Sequence, residues 1–455
     1  MCTHGCRAHV IGHVRRFTSA DHREQHPAGP RRLLPGRHEA PGTKERLVKP
    51  SPAPVPSDTR VLRGRVVTPS GVLDDGLVVS AGARITWVGD AADAPEAWLA
   101  PTPTPTAETI LPGLVDLHCH GGGGASFPDS TDAETVRTAL AEHLRHGTTS
   151  LVASLVTAPP DVLLARTALL ADAVEEGDLA GIHLEGPFLS THRCGAQNPV
   201  DMLAGDPGLT ARLAAAARGH LVTMTIAPEV DGIDEVLTAL VAAGVLPSIG
   251  HTDASSEQVD AAIERGRTLL AAEPAPRSRR LTATHLFNGM RPLHHREPGP
   301  IAACLAAAAR GELVVELVAD GTHLADGVVR AVFDLVGAGG IALVTDAMAA
   351  AGMPDGDYLL GPMAVRVEAG VARIVVDEGE GSIAGGVAHL LDIVRQVVNA
   401  GVPLADAVAA ASATPAEVLG RHDIGALVPG RRADLVVTDT NLRPLQVIRA
   451  GERVA

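Results

Sequence analysis

Aromatic residues make up only 2% of this 455-residue chain, which leaves little material for base stacking and argues against nucleic-acid recognition of that kind. An excess of positive charge is missing too. The formal net charge is −15, so bulk charge draws no polyanion to the chain. No apolar run approaches the roughly 20 residues that span a bilayer, and no membrane partner is expected. The five cysteines are an odd number scattered over a long chain. They do not form a secreted disulfide framework, and the expected location is a reducing cytoplasm. Lysine is nearly absent: Lys44 and Lys49 are the only two.

What remains is the composition of a globular protein, 45% hydrophobic and 20% charged, with a length that suits one large fold plus an accessory domain. Residues 1–60 hold 11 Lys/Arg against 5 Asp/Glu and are rich in Pro, Gly and His, with neither helical nor strand periodicity. Residues 1–57 therefore read as a disordered basic extension. Within it, Cys2, His4, Cys6 and His9 match no structural zinc spacing, and no apolar stretch follows Arg15-Arg16 to make an export signal. Short β patterns begin at 60–67, 76–80 and 83–89 and return at 433–438 and 445–448. The expectation is a small β-sandwich built from residues 58–110 and 423–455 around a central domain, 111–422.

The central domain alternates strand and helix. Eight candidate strands lie at 113–118, 148–155, 180–184, 221–227, 245–250, 281–286, 313–319 and 341–345. Between them run helical patterns such as 131–146, with Thr131 and Glu134 as a capping box and Gly147 as the stop. Eight such units predict an α/β fold, a (β/α)₈ TIM-type barrel. A doubly wound sheet would need a glycine-rich dinucleotide turn after its first strand, and none with the right continuation is present.

In a barrel, the active site is built where strands end. Here the strand ends carry the chemistry: His118 and His120 after the first, Glu185 after the third, His251 after the fifth, His285 at the sixth, Asp320 and His323 after the seventh, and Asp346 at the eighth. His118 and His120 are two apart on a strand and share a face, which suits two ligands to one divalent ion, while Cys119 points into the packing layer. Glu185 ends an apolar strand and meets Gly-Pro, a poor place for a surface ion pair and a good one for a carboxylate that bridges two cations. The bridging carbamylated lysine of some binuclear barrel hydrolases is ruled out by the missing lysines. His183 is read as structural. His251 and His285 are neutral imidazole donors. Asp346 is the candidate general acid/base, able to take a proton from water and return it to a leaving group. Arg296 and His323 are candidate anion contacts, and Asn288 and Gly289 offer backbone N–H donors beside them.

Taken together, the motifs Leu111-Pro-Gly-Leu-Val-Asp-Leu-His-Cys-His, His183-Leu-Glu-Gly-Pro-Phe, Gly250-His-Thr-Asp-Ala, Thr284-His-Leu-Phe-Asn-Gly-Met, Ala319-Asp-Gly-Thr-His and Thr345-Asp-Ala resemble the N-acetylglucosamine-6-phosphate deacetylases of the amidohydrolase superfamily, over residues 58–455. The resemblance implies hydrolysis of the N-acetyl group of a sugar phosphate to give an amine and acetate, and a homodimer. It assigns Glu185, His251 and His285 as the main metal ligands and Asp346 as the catalytic acid/base. His323 and the Asn288–Gly289 backbone are assigned to substrate, and Arg296 to the phosphate in the neighbouring subunit's site. Because His118 and His120 are both kept, two divalent ions per subunit are expected, zinc or iron before manganese or cobalt. Many members of this family carry a histidine after the Glu-Gly-Pro motif to polarise the substrate carbonyl. The aligned residue here is Gln197, which can donate a hydrogen bond but carries no charge. Cys194 shares its loop. The alternatives left open are another N-acetylhexosamine 6-phosphate, such as the galactosamine epimer, and a catalytically silent sugar-phosphate sensor.

Overall fold

The computed structural model describes residues 58–99, 102–104 and 106–455. The basic extension, with its Cys2–His9 cluster and Arg15-Arg16, lies outside the described residues.

Eight parallel strands form one sheet in chain order: β1 (Leu114–Cys119), β2 (Thr148–Leu155), β3 (Gly181–Glu185), β4 (Leu221–Ile226), β5 (Leu246–Ile249), β6 (Leu281–Ala283), β7 (Leu313–Leu317) and β8 (Ile341–Leu343). Every residue of these strands is buried, as expected for parallel strands covered on both faces. The ring closes between its first and last members: the Asp346 N–H donates to the His118 carbonyl at 2.8 Å, and the His120 N–H to the Ala347 carbonyl at 2.7 Å. Helices α1 (Ala133–Arg145), α2 (Pro160–Glu175), α3 (Pro207–Ala216), α4 (Ile233–Ala242), α5 (Ser256–Ala272), α6 (Gly299–Ala309) and α7 (Asp326–Val336) return the chain between strands. This is the expected (β/α)₈ barrel, whose core interleaves strand and helix side chains such as Leu151, Leu184, Leu213 and Leu240.

Two local readings need correcting. The cap of α1 is Asp132, whose carboxylate accepts from Thr135 N–H, rather than a box from Thr131 to Glu134. Strands β6 and β8 stop at Ala283 and Leu343, short of the 281–286 and 341–345 expected. Just beyond those ends His285 (φ 26°) and Asp346 (φ 47°) enter the left-handed region, as does His251 (φ 45°) beyond β5.

Both ends of the described chain share a seven-stranded sheet. Its order runs Glu452–Arg453, Pro444–Arg449, Leu435–Thr438, Thr109–Pro112, Thr59–Thr68, Gly71–Ala81, Arg84–Asp90. Thr109–Pro112, which the sequence reading missed as a strand, is the link: it is parallel to Thr59–Thr68 and antiparallel to Leu435–Thr438. Val66, Val78, Ile110, Leu435 and Ile448 pack into one small core. A further unread element, the three-stranded sheet Gly356–Leu360, Met363–Glu368 and Val371–Ile374, follows β8 and packs on Met348 and Val156 above the strand ends.

Candidate metal centre and active site

At the C-terminal ends of the strands lies a cavity of about 510 Å³. His120, Glu185, His251, His285, Asp346, His323, Asn288, Gly289 and Gln197 all line it, and His118 packs directly behind. Residues more than 200 positions apart therefore meet because the barrel stacks its strand ends in a ring.

Glu185 sits at the centre, 3% exposed. Its Oε1 faces His251 Nε2 at 2.8 Å and His285 Nε2 at 2.7 Å. Its Oε2 faces His120 Nε2 at 3.2 Å and His118 Nε2 at 3.7 Å. On the far side of that second pair, Asp346 Oδ1 lies 3.2 Å from His120 Nε2 and 3.4 Å from His118 Nε2. One carboxylate thus spans two groups of donors, Glu185–His251–His285 and His118–His120–Asp346, each with its ligand atoms within 4.8 Å of one another.

Three of the four rings are oriented by their outer nitrogen. His118 Nδ1 lies 3.1 Å from Glu316 Oε2, His120 Nδ1 3.2 Å from the Ser154 carbonyl, and His251 Nδ1 2.8 Å from the Arg193 carbonyl. With Nδ1–H donating outward, each Nε2 lone pair is turned into the site. His285 Nδ1 has no partner, so that ring is held through Nε2 alone. His118 Nε2 and His120 Nε2 are 3.0 Å apart. Two lone pairs that close repel unless a proton or a cation lies between them. The electrostatics point the same way. Burial opposes charge on His118, but Asp346 and Glu185 outweigh it and raise its pKa well above the usual imidazole value. His120 and His251 are also raised against burial, by Asp346 and Glu185 for the first and mainly by Glu185 for the second. Glu185 and Asp346 are both held below the usual carboxylate range despite burial, Glu185 mainly by His251 and His118, Asp346 mainly by His118 and His120. A nest of converging imidazole and carboxylate donors that calls for positive charge fits a divalent transition metal.

Around this nest the remaining residues divide. His183 is neutral and structural: burial, then His118, push its pKa well below normal, and its nitrogens bond Ser154 and Thr225 hydroxyls at 2.9 and 2.8 Å. His323 faces the cavity with Nδ1 fixed by Asp320 at 2.9 Å, and Asp320 is braced by the backbone N–H groups of Thr322 and His323. Gln197 is already engaged. Its carbonyl oxygen accepts from Thr157 N–H at 2.7 Å and its amide donates to Glu185 Oε2 at 2.6 Å. Arg296 stands apart, exposed in the 291–297 loop and not among the residues lining this chain's cavity. Cys194 lines the cavity, whereas Cys119 is fully buried, 3.3 Å from His143 Nε2.

Several functional neighbours escaped the sequence reading. Glu316, in mid-strand on β7, contacts His118 and the backbone of His285. Asp116, two residues before His118, accepts from the Thr345 hydroxyl at 2.6 Å and so ties β1 to the loop bearing Asp346; burial pushes its pKa up to about 7. Arg193 pairs with Asp253 at 2.7 Å, steadying the loop whose carbonyl orients His251. The signal available was the same for Asp116 and Glu316, each an acid inside an otherwise apolar run.

The chain matches the Amidohydrolase family over residues 109–454. It is 33% identical over 350 residues to an N-acetylglucosamine-6-phosphate deacetylase of Lysinibacillus sphaericus, covering 75% of this chain and 84% of that one. It is 33% identical over 406 residues to an N-acetylgalactosamine-6-phosphate deacetylase of Escherichia coli O157:H7, covering 87% and 99%. Among solved structures it resembles a mutant N-acetyl-D-glucosamine-6-phosphate deacetylase of Mycobacterium smegmatis in complex with N-acetyl-D-glucosamine-6-phosphate, at 41% identity and a TM-score of 0.79, covering 87% of this chain and 99% of that one. With strand-end donors, barrel and sequence in agreement, this chain belongs to the amidohydrolase family and, within it, to the N-acetylglucosamine-6-phosphate deacetylases.

Proposed function

We propose that this protein hydrolyses the acetamide of N-acetylglucosamine 6-phosphate to glucosamine 6-phosphate and acetate. The observation that carries the reading is Glu185, whose two carboxylate oxygens face two separate histidine pairs, with Asp346 at the cavity side of one of them. Glu185, His251 and His285 would hold one divalent ion, zinc or iron by donor chemistry, and His118 and His120 a second with Glu185 between them. Bound there, such ions supply Lewis acidity toward water and toward the acetyl oxygen.

The chain's own residues do the rest. Asp346 is ionised and acceptor-only, so it takes a proton from the attacking water as the oxygen adds to the acetyl carbon. It then delivers that proton to the sugar nitrogen as the C–N bond breaks, which leaves acetate and a free amine. His323, with Nδ1 locked on Asp320, presents Nε2 to a sugar hydroxyl or the phosphate, and the Asn288–Gly289 segment offers main-chain donors beside it. These contacts, remote from the reacting bond, hold the acetamide against Asp346. Gln197 supports the reaction through Glu185: its amide fixes Oε2, and carbonyl polarisation is not its main task.

Arg296 is exposed and does not line this chain's cavity, which accords with a homodimer in which it serves the neighbouring site. A phosphorylated substrate accords with a cytoplasmic enzyme; among the described residues, no helix is long and apolar enough to cross a membrane. The galactosamine epimer is the second reading, favoured by the similarity to the E. coli O157:H7 protein.

The test is acetate release from both epimeric N-acetylhexosamine 6-phosphates, with metal analysis alongside. Asp346→Asn should lower turnover by about 10²–10⁴-fold while metal content stays unchanged. Near-normal turnover in that variant removes Asp346 from its role, and a clear preference for the galactosamine substrate selects the second reading.

A further inference from the structure

Glu316 lies in the middle of β7, 1% exposed, outside every strand-end motif. A single oxygen of it makes two contacts. Oε2 accepts from the His285 backbone N–H at 3.2 Å and lies 3.1 Å from His118 Nδ1. A backbone N–H can only donate, so Oε2 acts there as an acceptor, and the His118 Nδ1 that faces the same oxygen is the donor. The tautomer in which His118 can serve a cation follows: Nδ1 keeps its proton for Glu316, and Nε2, 3.0 Å from His120 Nε2 and 3.4 Å from Asp346 Oδ1, is the nitrogen left to offer a lone pair.

We infer that Glu316 is a positioning residue for the second cation, locking His118 in its ligating tautomer and tying the His118–His120 half of the centre to the backbone of the other half. The inference rests on the two-ion reading above. His118 is the one imidazole of the four whose outer nitrogen is held by a carboxylate; His120 and His251 lean on neutral carbonyls and His285 on nothing. His118 is also completely buried, at 0% exposure, so no water can replace a lost partner at Nδ1. Accepting that N–H, the Glu316 side chain increases the ring's donor strength toward a cation. The same oxygen holds the backbone N–H of His285, whose φ of 26° lies outside the usual range. No proton leaves or enters in this role, and Glu316 touches neither substrate nor reacting atoms.

The test is metal binding rather than turnover. The cation-free full chain, its Glu316→Gln variant and its Glu316→Leu variant are titrated with zinc against a chromophoric chelator, and bound metal is counted by elemental analysis. The wild type is expected to take two ions per chain. Glu316→Leu, which also strips the His285 N–H of its acceptor, should lose the second ion and weaken the first far less, and Glu316→Gln, which can accept a hydrogen bond but has no charge, should weaken the second by about 10–100-fold and leave the first alone. Two ions at wild-type affinities in Glu316→Leu overturn the proposal, as does equal weakening of both ions, which marks general damage. If Glu316→Leu fails to fold, as judged by thermal melting, Glu316→Gln decides: an unchanged second affinity overturns the inference. A wild type that binds a single ion refutes the two-ion reading before any substitution is made, so the two failures are told apart.

Discussion

Among the described residues, two clusters of one glutamate and two histidines have ligand atoms close enough to share an ion: Glu185–His251–His285 at the strand ends, and Glu142–His146–His389 between α1 and the helix Leu390–Asn399. By composition they are equal, but their geometry sets them apart. Around Glu142 the carboxylate and both nitrogens of His389 are already matched. His389 Nε2 lies 2.9 Å from Glu142 Oε1, Arg145 pairs with Oε2 at 2.8 Å, and Asp392 takes His389 Nδ1 at 3.2 Å. The His146 and His389 rings stack face to face, 3.6 Å apart and 14° from parallel, so their in-plane lone pairs do not converge on a point. Around Glu185 the Nε2 atoms converge on a cavity and the outer nitrogens of three rings are tied back. Ligand-type residues in proximity do not make a metal centre; convergence of unspent lone pairs on open space does.

The sharpest way to break this contrast is to neutralise each glutamate. Glu185→Gln should lose bound metal and, with it, measurable acetate release. Glu142→Gln should keep both metal content and turnover and lose about 1–3 kcal/mol of stability in a denaturant melt, because the buried hydrogen bonds are weakened. Metal loss in Glu142→Gln would reverse the assignment. A second test uses protons. His118, His120 and His251 have raised pKa values in the cation-free chain, so protons occupy the nitrogens that ions need. Metal affinity should therefore fall as pH drops through those raised values, and uptake near pH 7 should release protons, read by calorimetry in buffers of different ionisation enthalpy. Uptake without proton release would contradict it.

Behind the Glu142 cluster the sign runs the other way. Burial pushes the His143 pKa down to about 4. The unfolded chain binds a proton near pH 6.5 while the folded one refuses it, so this contribution to stability is full above 6.5 and is lost as pH falls from there toward 4. It amounts to roughly 3 kcal/mol. Melting of wild type and His143→Gln across that range should show a smaller loss in the variant, where His183, also lowered by burial, still contributes. The smallest effect is expected at Gln197. Gln197→Leu leaves Thr157 N–H without its acceptor and should cost about 1–3 kcal/mol of stability with a modest fall in turnover; an unchanged melt would remove its bracing role.

Much of this was legible in the sequence because a barrel places its site at strand ends, and His118, Glu185, His251, His285 and Asp346 stand there as polar interruptions of apolar runs. The illegible part has a common cause in long-range pairing. Glu316 meets His118 across 198 residues and Asp116 meets Thr345 across 229, and nothing local to either acid marks its partner. Thr109–Pro112 was hidden because a four-residue strand acquires its identity from neighbours at both ends of the chain. The orientation of the Gln197 amide was equally invisible, since residue type alone allows it to face a substrate or to brace a carboxylate. The sheet after β8 was the exception: its alternation over Met363–Glu368, with Val365 and Val367 buried between exposed neighbours, was there to be read.

His251, His285 and Asp346 share one further property, a backbone twisted into the left-handed region at the point where each leaves the barrel wall. For residues with a side chain this conformation costs about 1–3 kcal/mol apiece, a load the surrounding barrel carries. Glycine at any of the three would relax that load and remove a functional group in the same step. A search for hardier variants of this protein is therefore drawn toward the very positions that its chemistry can least spare.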